Sequence, residues 1–590
     1  MIREESFRVL RIDLREGKGE VVQFGEPSKV LGGSGLAAAL FQAYGLPRAP
    51  SGHPDQPLIF AIGPLTGCFP LMSKVVAAFK SPYHEQYAES HAGGRLALAM
   101  RFAGYDALVV VGAAPTLSCL VVGSRKLEMK DVHYLKGQDV LATGKALRKI
   151  RGEGSGHRSI LRIGPAGENG VAYACINVDT YRHFGRLGGG AVMGAKNLKA
   201  VAVVGDSSWS LPGGKEYAGL YKEIYREVTA SSVMRKYHDL GTPENILPLN
   251  EMRAIPVRNL QATHDERIPD ISGERFAEQL LLRQTACAGC PVGCIHVGLL
   301  REKFASEHEY LYRQVSYDYE PVFALGAMVG VYQAGDVLML VEEAERQGLD
   351  VMSAGVALAW ATEALEKGLV SQDRTLAPLA FGDARNYGRA LRYLGKRANE
   401  FYEVLGLGLP AVVKKYGGED FACVLGQEMA GYATGEAFFV SQAYGFRHSH
   451  LDSAGYGFDQ KSEARDEEAA VRYLLEEEKR RVQLTCMVSC LFARNVYTEK
   501  RLGECLASLK GSSLAENLDS AGEAVQAMRW RLKFQTGYDP SKIRIPRRFR
   551  EVVTWKGELD ERFMESLAGR YNEAVGRWAP SDLPASETSP

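Results

Sequence analysis

The sequence predicts an α+β protein: a β-rich N-terminal domain over residues 1–207, then two mainly α-helical domains over 208–424 and 425–575, then a disordered tail over 576–590. Three observations predict it. Short β-branched runs bounded by glycine crowd the first third of the chain. Apolar residues three and four apart take over after it. A triple-cysteine run, Cys287-Ala-Gly-Cys290-Pro-Val-Gly-Cys294, falls in a loop between helical segments of the second region. A chain of 590 residues is also too long for one hydrophobic core.

In the first domain the strand-like runs begin at Phe7, Pro57, Ala107, Leu120 and Lys199, each four to seven residues long and each ending near a turn residue. Between them lie Gly32-Gly-Ser-Gly-Leu36, Gly63-Pro-Leu-Thr-Gly67, His91-Ala-Gly-Gly94, Gly164-Pro-Ala-Gly167 and Gly185-Arg-Leu-Gly-Gly-Gly190. One such run makes a turn. Five in one domain predict backbone that approaches a large anionic ligand and presents its N–H groups to phosphates. No GxGxxG with an acidic residue about 20 positions on follows a strand, so a dinucleotide fingerprint is absent.

The segments from Glu216, Asp336 and Val356 carry the helical period, and the last stops at Gly368, a usual C-terminal cap. Glu463 to Glu478 is densely charged and reads as a solvated helix face. Trp578 to Pro590 is rich in Pro, Ser and acidic residues, a composition too polar to pack.

The cysteine run is the chemical centre of the chain. Iron–sulfur clusters draw four thiolates from one tight run and a distant partner, and Cys486 and Cys490 are the downstream candidates. The rival reading is a zinc-stabilised loop in a non-enzymatic binding protein, with His296 as a further ligand; zinc sites more often show paired CxxC spacings. Hydrophobic residues make up 46% of the chain and charged residues 24%, with 71 basic side chains against 71 acidic ones. That balance argues against a nucleic-acid partner. No apolar run approaches the roughly 20 residues of a membrane span, and the N-terminus lacks a signal-peptide layout. The expectation is a cytoplasmic protein with no membrane contact, whose ten cysteines remain thiols.

The order of further motifs resembles the tungsten-dependent aldehyde ferredoxin oxidoreductase family along most of the chain. They are Gly63 to Gly67, Lys80-Ser-Pro82, Phe102 to Asp106, Gly164 to Asn169, Gly190 to Lys199, Cys287 to Cys294, Tyr319 to Gly326 and Gly348-Leu-Asp350. The resemblance implies a tungsten (or molybdenum) bis-molybdopterin beside one 4Fe-4S cluster, with magnesium bridging the pterin phosphates. It also implies ferredoxin, or an iron–sulfur electron-transfer subunit, as partner, and an aldehyde oxidised to a carboxylate.

Carried over by position, Cys287, Cys290, Cys294 and Cys490 match the cluster ligands. Lys74 stands for an arginine between pterin and cluster, keeping the charge but losing the planar fork. His91, Gly93, Gly94, Arg182 and His183 fall at pterin contacts. The family's two acidic pterin motifs become Glu345-Arg-Gln-Gly348-Leu349-Asp350 and Thr485-Cys-Met-Val-Ser489-Cys490. The first keeps carboxylates able to accept pterin N–H groups; the second loses its aspartate and glycine. Glu320 and His450 match an acid–base pair, with His448 as a secondary candidate, and aromatic neighbours are expected to raise the Glu320 pKa. The matching ExxH helix reads Met339-Leu-Val-Glu342, so the resemblance implies a homodimer without a bridging mononuclear iron. Drifted pterin motifs also leave room for a second role, the tungsten subunit of a larger complex that reduces aromatic acyl-CoA or carbonyl substrates.

Overall fold

The computed structural model describes residues 4–150, 157–211, 213–306, 308–462 and 464–580. Its first domain holds twelve strands, β1 Phe7–Asp13, β2 Lys18–Phe24, β3 Leu58–Ala61, β4 Val75–Lys80, β5 Tyr87–Ala92, β6 Ala107–Val111, β7 Ser118–Val122, β8 Leu127–Asp131, β9 His157–Arg162, β10 Ile176–Val178, β11 Arg182–Phe184 and β12 Leu198–Gly205. They form two mixed six-stranded sheets, ordered β2-β1-β6-β3-β4-β5 and β11-β10-β9-β12-β7-β8. Among the described residues only β1/β6 and β12/β7 pair in parallel.

The alternation of each strand explains how the sheets stack. Ile59 and Ala61 of β3, with Val76 and Ala78 of β4, pack against Leu36, Leu40 and Phe41 of the helix Gly33–Tyr44. Leu58, Phe60, Val75, Ala77 and Phe79 point the other way, onto Leu161, Ile176, Val178 and Val201 of the second sheet. A strand buried on both faces reads as a near-continuous apolar run, as Val75 to Phe79 do, and the buried Lys80 that ends this strand donates to Pro47 O at 2.9 Å and Ala49 O at 2.8 Å.

The remainder is mainly helical, built around the buried helices Tyr319–Leu325, Ala334–Gln347 and Val351–Glu366. It contains one three-stranded antiparallel sheet, β13 Leu281–Thr285, β14 Ile295–Lys303 and β15 Tyr310–Tyr317. The cysteine run therefore lies between two strands rather than between helices. Thr285 pairs with Ile295, and this ladder closes the loop that holds all three cysteines. Among the described residues no single helix is long and apolar enough to cross a membrane.

Two further expectations hold only in part. The charged run is a solvated face over most of its described length, with Arg465, Asp466, Glu468, Arg472 and Glu476 exposed, but its last residue is not. In the helix Glu467–Cys486 the side chains of Glu478 and Arg481 are buried, with Glu478 Oε1 accepting from Trp530 Nε1 at 3.0 Å. At the start of the expected tail, Trp578 stacks on Trp530 with ring centroids 6.3 Å apart. An indole supplies enough apolar area to pack where its neighbours do not. Residues 581–590 lie outside the described residues.

Candidate functional site

Where the first domain meets the helical body, a cavity of about 390 Å³ is walled by residues from four parts of the chain. The cysteine loop contributes Cys287, Cys290 and Cys294, and the end of the helix Glu467–Cys486 leads into Thr485, Ser489 and Cys490. The first domain contributes Lys74, His91, Gly93, Arg182 and His183; the helical body contributes Asp318, Glu320, Glu345, Leu349, Asp350 and His450.

All four cysteines line this cavity. Leu71 O accepts from Cys490 N at 3.0 Å and Gly94 O from Ala288 N at 3.0 Å, so the first domain grips both cysteine segments by backbone bonds. A Cβ on Gly93 would stand 2.6 Å from Cys287 Sγ, so only glycine permits this approach. Cys486 is fully buried away from the cavity, its carbonyl against Gly33 and Gly63. His296 turns to the backbone instead, with Nε2 2.9 Å from His238 O and 3.2 Å from Asp239 O.

Charge favours the thiolate at Cys287. Burial would push the Cys287 thiol up, but the Arg182 and Lys74 charges outweigh it and hold its pKa below the ordinary value. Reciprocally, burial acts to lower Lys74, and the Cys490 and Cys287 charges leave it raised. Cys290 and Cys294 are pushed up by burial, to about 12 and about 11. Arg182 Nη2 lies 4.0 Å from Cys294 Sγ.

In the same cavity His450 Nε2 lies 3.2 Å from Glu320 Oε1. Burial alone would raise the Glu320 pKa, as the sequence suggests, but the His450 hydrogen bond and charge reverse the direction and hold it down. The raised carboxyl is its neighbour Asp318, which burial and the Glu320 charge push up to about 7. Glu345 rises to about 8, chiefly by burial. His91 and His183 fall to about 4 and about 3, also led by burial, so both are neutral at pH 7.

Other expectations resolve differently. His448 does not line the cavity; its backbone sits at φ 52°, its Nδ1 lies 2.9 Å from Ala443 O, and its Nε2 lies 3.2 Å from Lys533 Nζ. The αL backbone turns that ring away from His450 and ties it into the Lys533 pocket. Gly348 caps the helix Ala334–Gln347 at φ 75°, and Gly94 holds the cysteine loop through its carbonyl; neither lines the cavity. Asp350 lines it but caps the next helix, accepting from Met352 N at 3.2 Å, Ser353 Oγ at 2.6 Å and Arg186 Nε at 3.0 Å. The glycine runs do less for ligand approach than expected. A Cβ on Gly33 would stand 2.1 Å from Thr485 O, one on Gly63 2.4 Å from Cys486 O and one on Gly164 2.4 Å from Gln347 O, so these glycines let backbone pack on backbone.

Sequence reasoning missed Arg186, Arg447 and Asp318. Arg186 follows Gly185 in a glycine run, and Arg447 opens the segment that carries both histidines, so each stood beside a residue already singled out. Arg447 Nε donates to Asp452 Oδ1 at 2.6 Å and its Nη1 lies 3.4 Å from His91 Nδ1. Arg182 Nε, Arg186 Nη1 and His450 Nδ1 are buried with no hydrogen-bond partner among the described residues. Buried donors are rarely left so. The cavity is thus shaped and charged to receive a ligand with several acceptor atoms, and a pterin with phosphate and dithiolene groups fits that donor set.

An α+β body that encloses such a cavity at its domain junction is a fold already known. The structure matches the active site complex BamBC of benzoyl coenzyme A reductase, in complex with 1,5-dienoyl-CoA, with a TM-score of 0.81 over 98% of this chain and 95% of that one, at 20% identity. The chain itself belongs to the aldehyde ferredoxin oxidoreductase family: the N-terminal domain of that family matches residues 9–205, and its domains 2 and 3 match residues 219–589. The tungsten-containing aldehyde ferredoxin oxidoreductase of Pyrococcus abyssi is 31% identical over 437 residues, 72% of this chain and 70% of that protein. That of Thermococcus kodakarensis is 33% identical over 62% of this chain and 60% of its own length. The aliphatic sulfonate oxidoreductase WOR-like subunit of Pyrococcus furiosus is 27% identical over 66% and 64%.

Proposed function

We propose that this chain is a tungsten (or molybdenum) bis-pterin oxidoreductase that oxidises an aldehyde to a carboxylate and passes the electrons to ferredoxin or an iron–sulfur subunit. One observation carries the reading: a single cavity is lined by four cysteines and by the Glu320–His450 pair. When bound, the pterin metal supplies a two-electron acceptor and a 4Fe-4S cluster a one-electron exit.

The chain's own residues do the rest. Cys287, Cys290, Cys294 and Cys490 would hold the cluster, with Lys74 and Arg182 balancing its negative charge. The unpaired Arg182 Nε and Arg186 Nη1 would donate to the pterin side chains, and Glu345, whose carboxyl burial pushes up to about 8, would donate to or accept from a pterin ring. His450, held by the Glu320 carboxylate, presents its free Nδ1 to a carbonyl oxygen. Asp318, titrating near 7, is placed to take a proton from water. The test is metal and pterin analysis of anaerobically purified protein, joined to aldehyde-dependent dye reduction. Tungsten or molybdenum with two pterins, about four irons and aldehyde-dependent turnover are expected. Zinc without iron would overturn the reading. Acyl-CoA reduction without aldehyde turnover would move the protein to the role of a reducing complex's tungsten subunit.

A further inference from the structure

Arg447 and His450 line the cavity from one turn, which Asp452 closes by accepting from Arg447 N at 2.7 Å and from Arg447 Nε at 2.6 Å. The guanidinium is held at a second point, its Nη1 lying 3.4 Å from His91 Nδ1. Its Nη2 makes no hydrogen bond among the described residues, although Arg447 is only 7% exposed. Buried donors normally find an acceptor. A ligand in the cavity that this side chain lines would supply one.

The contact to His91 is fixed in one chemical form. Glu89 Oε2, which can only accept, lies 3.3 Å from His91 Nε2, so that nitrogen carries the proton; a guanidinium can only donate, so Nδ1 is the acceptor for Arg447. Burial, which lowers the His91 pKa to about 4, keeps the ring neutral at pH 7 and the tautomer single. Glu89 is anchored in turn. It accepts from Arg529 Nε at 2.8 Å and Nη2 at 3.2 Å, from the Tyr87 hydroxyl at 3.1 Å and from Ser34 Oγ at 2.9 Å. Burial would raise its pKa, but the Arg529 charge and the His91 hydrogen bond hold it well below the ordinary carboxylate value.

An aldehyde presents one neutral carbonyl oxygen, which His450 Nδ1 can meet alone. Its oxidation product is a carboxylate, whose second oxygen and negative charge call for a cationic donor. We propose that Arg447 binds this carboxylate product through Nη2, with His91 and Glu89 as the residues that position it. Both ring nitrogens of His91 are then taken, and it serves Arg447 rather than a pterin. The assignment rests on the aldehyde oxidation proposed above.

Saturation-transfer difference NMR of the metal-loaded protein with acetate and with acetamide, its uncharged isostere, tests it without turnover. The parent is expected to prefer acetate about tenfold or more, the worth of a charge-assisted hydrogen bond. Arg447→Gln should lose most of that preference with iron and pterin retained. His91→Leu, which leaves the Asp452 pair intact and decides should Arg447→Gln unfold, should lose part of it, and His91→Asn, which keeps a donor and an acceptor, should restore it. No acetate preference in the parent, or one unchanged in both Arg447→Gln and His91→Leu, overturns the assignment. So does loss of pterin from Arg447→Gln at an unchanged melting temperature, which would give Arg447 to the cofactor. Aldehyde turnover is measured beside the titration: a parent that prefers acetate through Arg447 but oxidises no aldehyde sinks the aldehyde reading and supports the carboxylate site.

Discussion

Glu320 Oε1 stands 3.2 Å from His450 Nε2, and the Tyr432 hydroxyl donates to the same oxygen at 3.2 Å. The pair fixes the imidazole so that Nδ1 is the nitrogen left without a partner. Losing a general acid or base removes about 10²- to 10⁴-fold in rate. Glu320→Gln and His450→Asn are therefore expected to lose turnover on that scale while retaining iron and pterin metal. Dye-reduction kinetics beside metal analysis check this; rates within about threefold of the parent, far below that range, would remove the pair from the chemistry.

The pH dependence should belong to Asp318. A carboxyl whose pKa is raised from 3.8 to about 7 is protonated below that pH and ionised above it, so a base role makes kcat/KM rise through pH 7. In Asp318→Asn that limb should vanish. The sign for stability is opposite: between its ordinary and raised values the folded chain holds a proton that the unfolded chain has lost, so the carboxyl's contribution declines as pH rises from about 4 to 7. An unchanged rate profile in the variant would show that another group titrates.

Cys486 ends the helix Glu467–Cys486, and Cys490 lies four residues on, beyond the left-handed turn at Val488 (φ 57°), so the two face different surroundings. Cys490→Ala is expected to lose the cluster's irons and its low-temperature resonance on reduction, whereas Cys486→Ala should keep both. Loss in the second and retention in the first would reverse the assignment of the fourth ligand.

Lys533 is fully buried and donates to Gly445 O at 2.7 Å and to Phe446 O at 2.6 Å, with His448 Nε2 at 3.2 Å. It ties down the turn from which Arg447 and His450 enter the cavity. Lys533→Met leaves these acceptors without a donor and should cost about 2–4 kcal/mol in unfolding free energy, with turnover falling further than the iron content. Denaturant unfolding and activity on the same preparation check this.

By itself the sequence determined the periodicities and the cysteine spacing. Short β-branched runs such as Phe7–Asp13 and Ala107–Val111, and the helical period around Val356, are local properties, so those strands and that helix were legible. CxxCxxxC restricts its ligand chemistry through chain geometry alone. The short strands β10 and β11 were not legible, because three residues carry no period; nor was the ladder β13/β14, which is a pairing between segments.

The tertiary structure decided which chemical groups meet and in what protonation state. Asp318 and Glu320 are two carboxyls in one short segment; only the imidazole arriving from His450 lowers one and leaves its neighbour raised. His448 and His450 share one motif, yet the αL turn at the former sends it to Lys533 and the latter to Glu320. A pKa and a cavity wall are sums over neighbours distant in sequence, and folding alone supplies those neighbours.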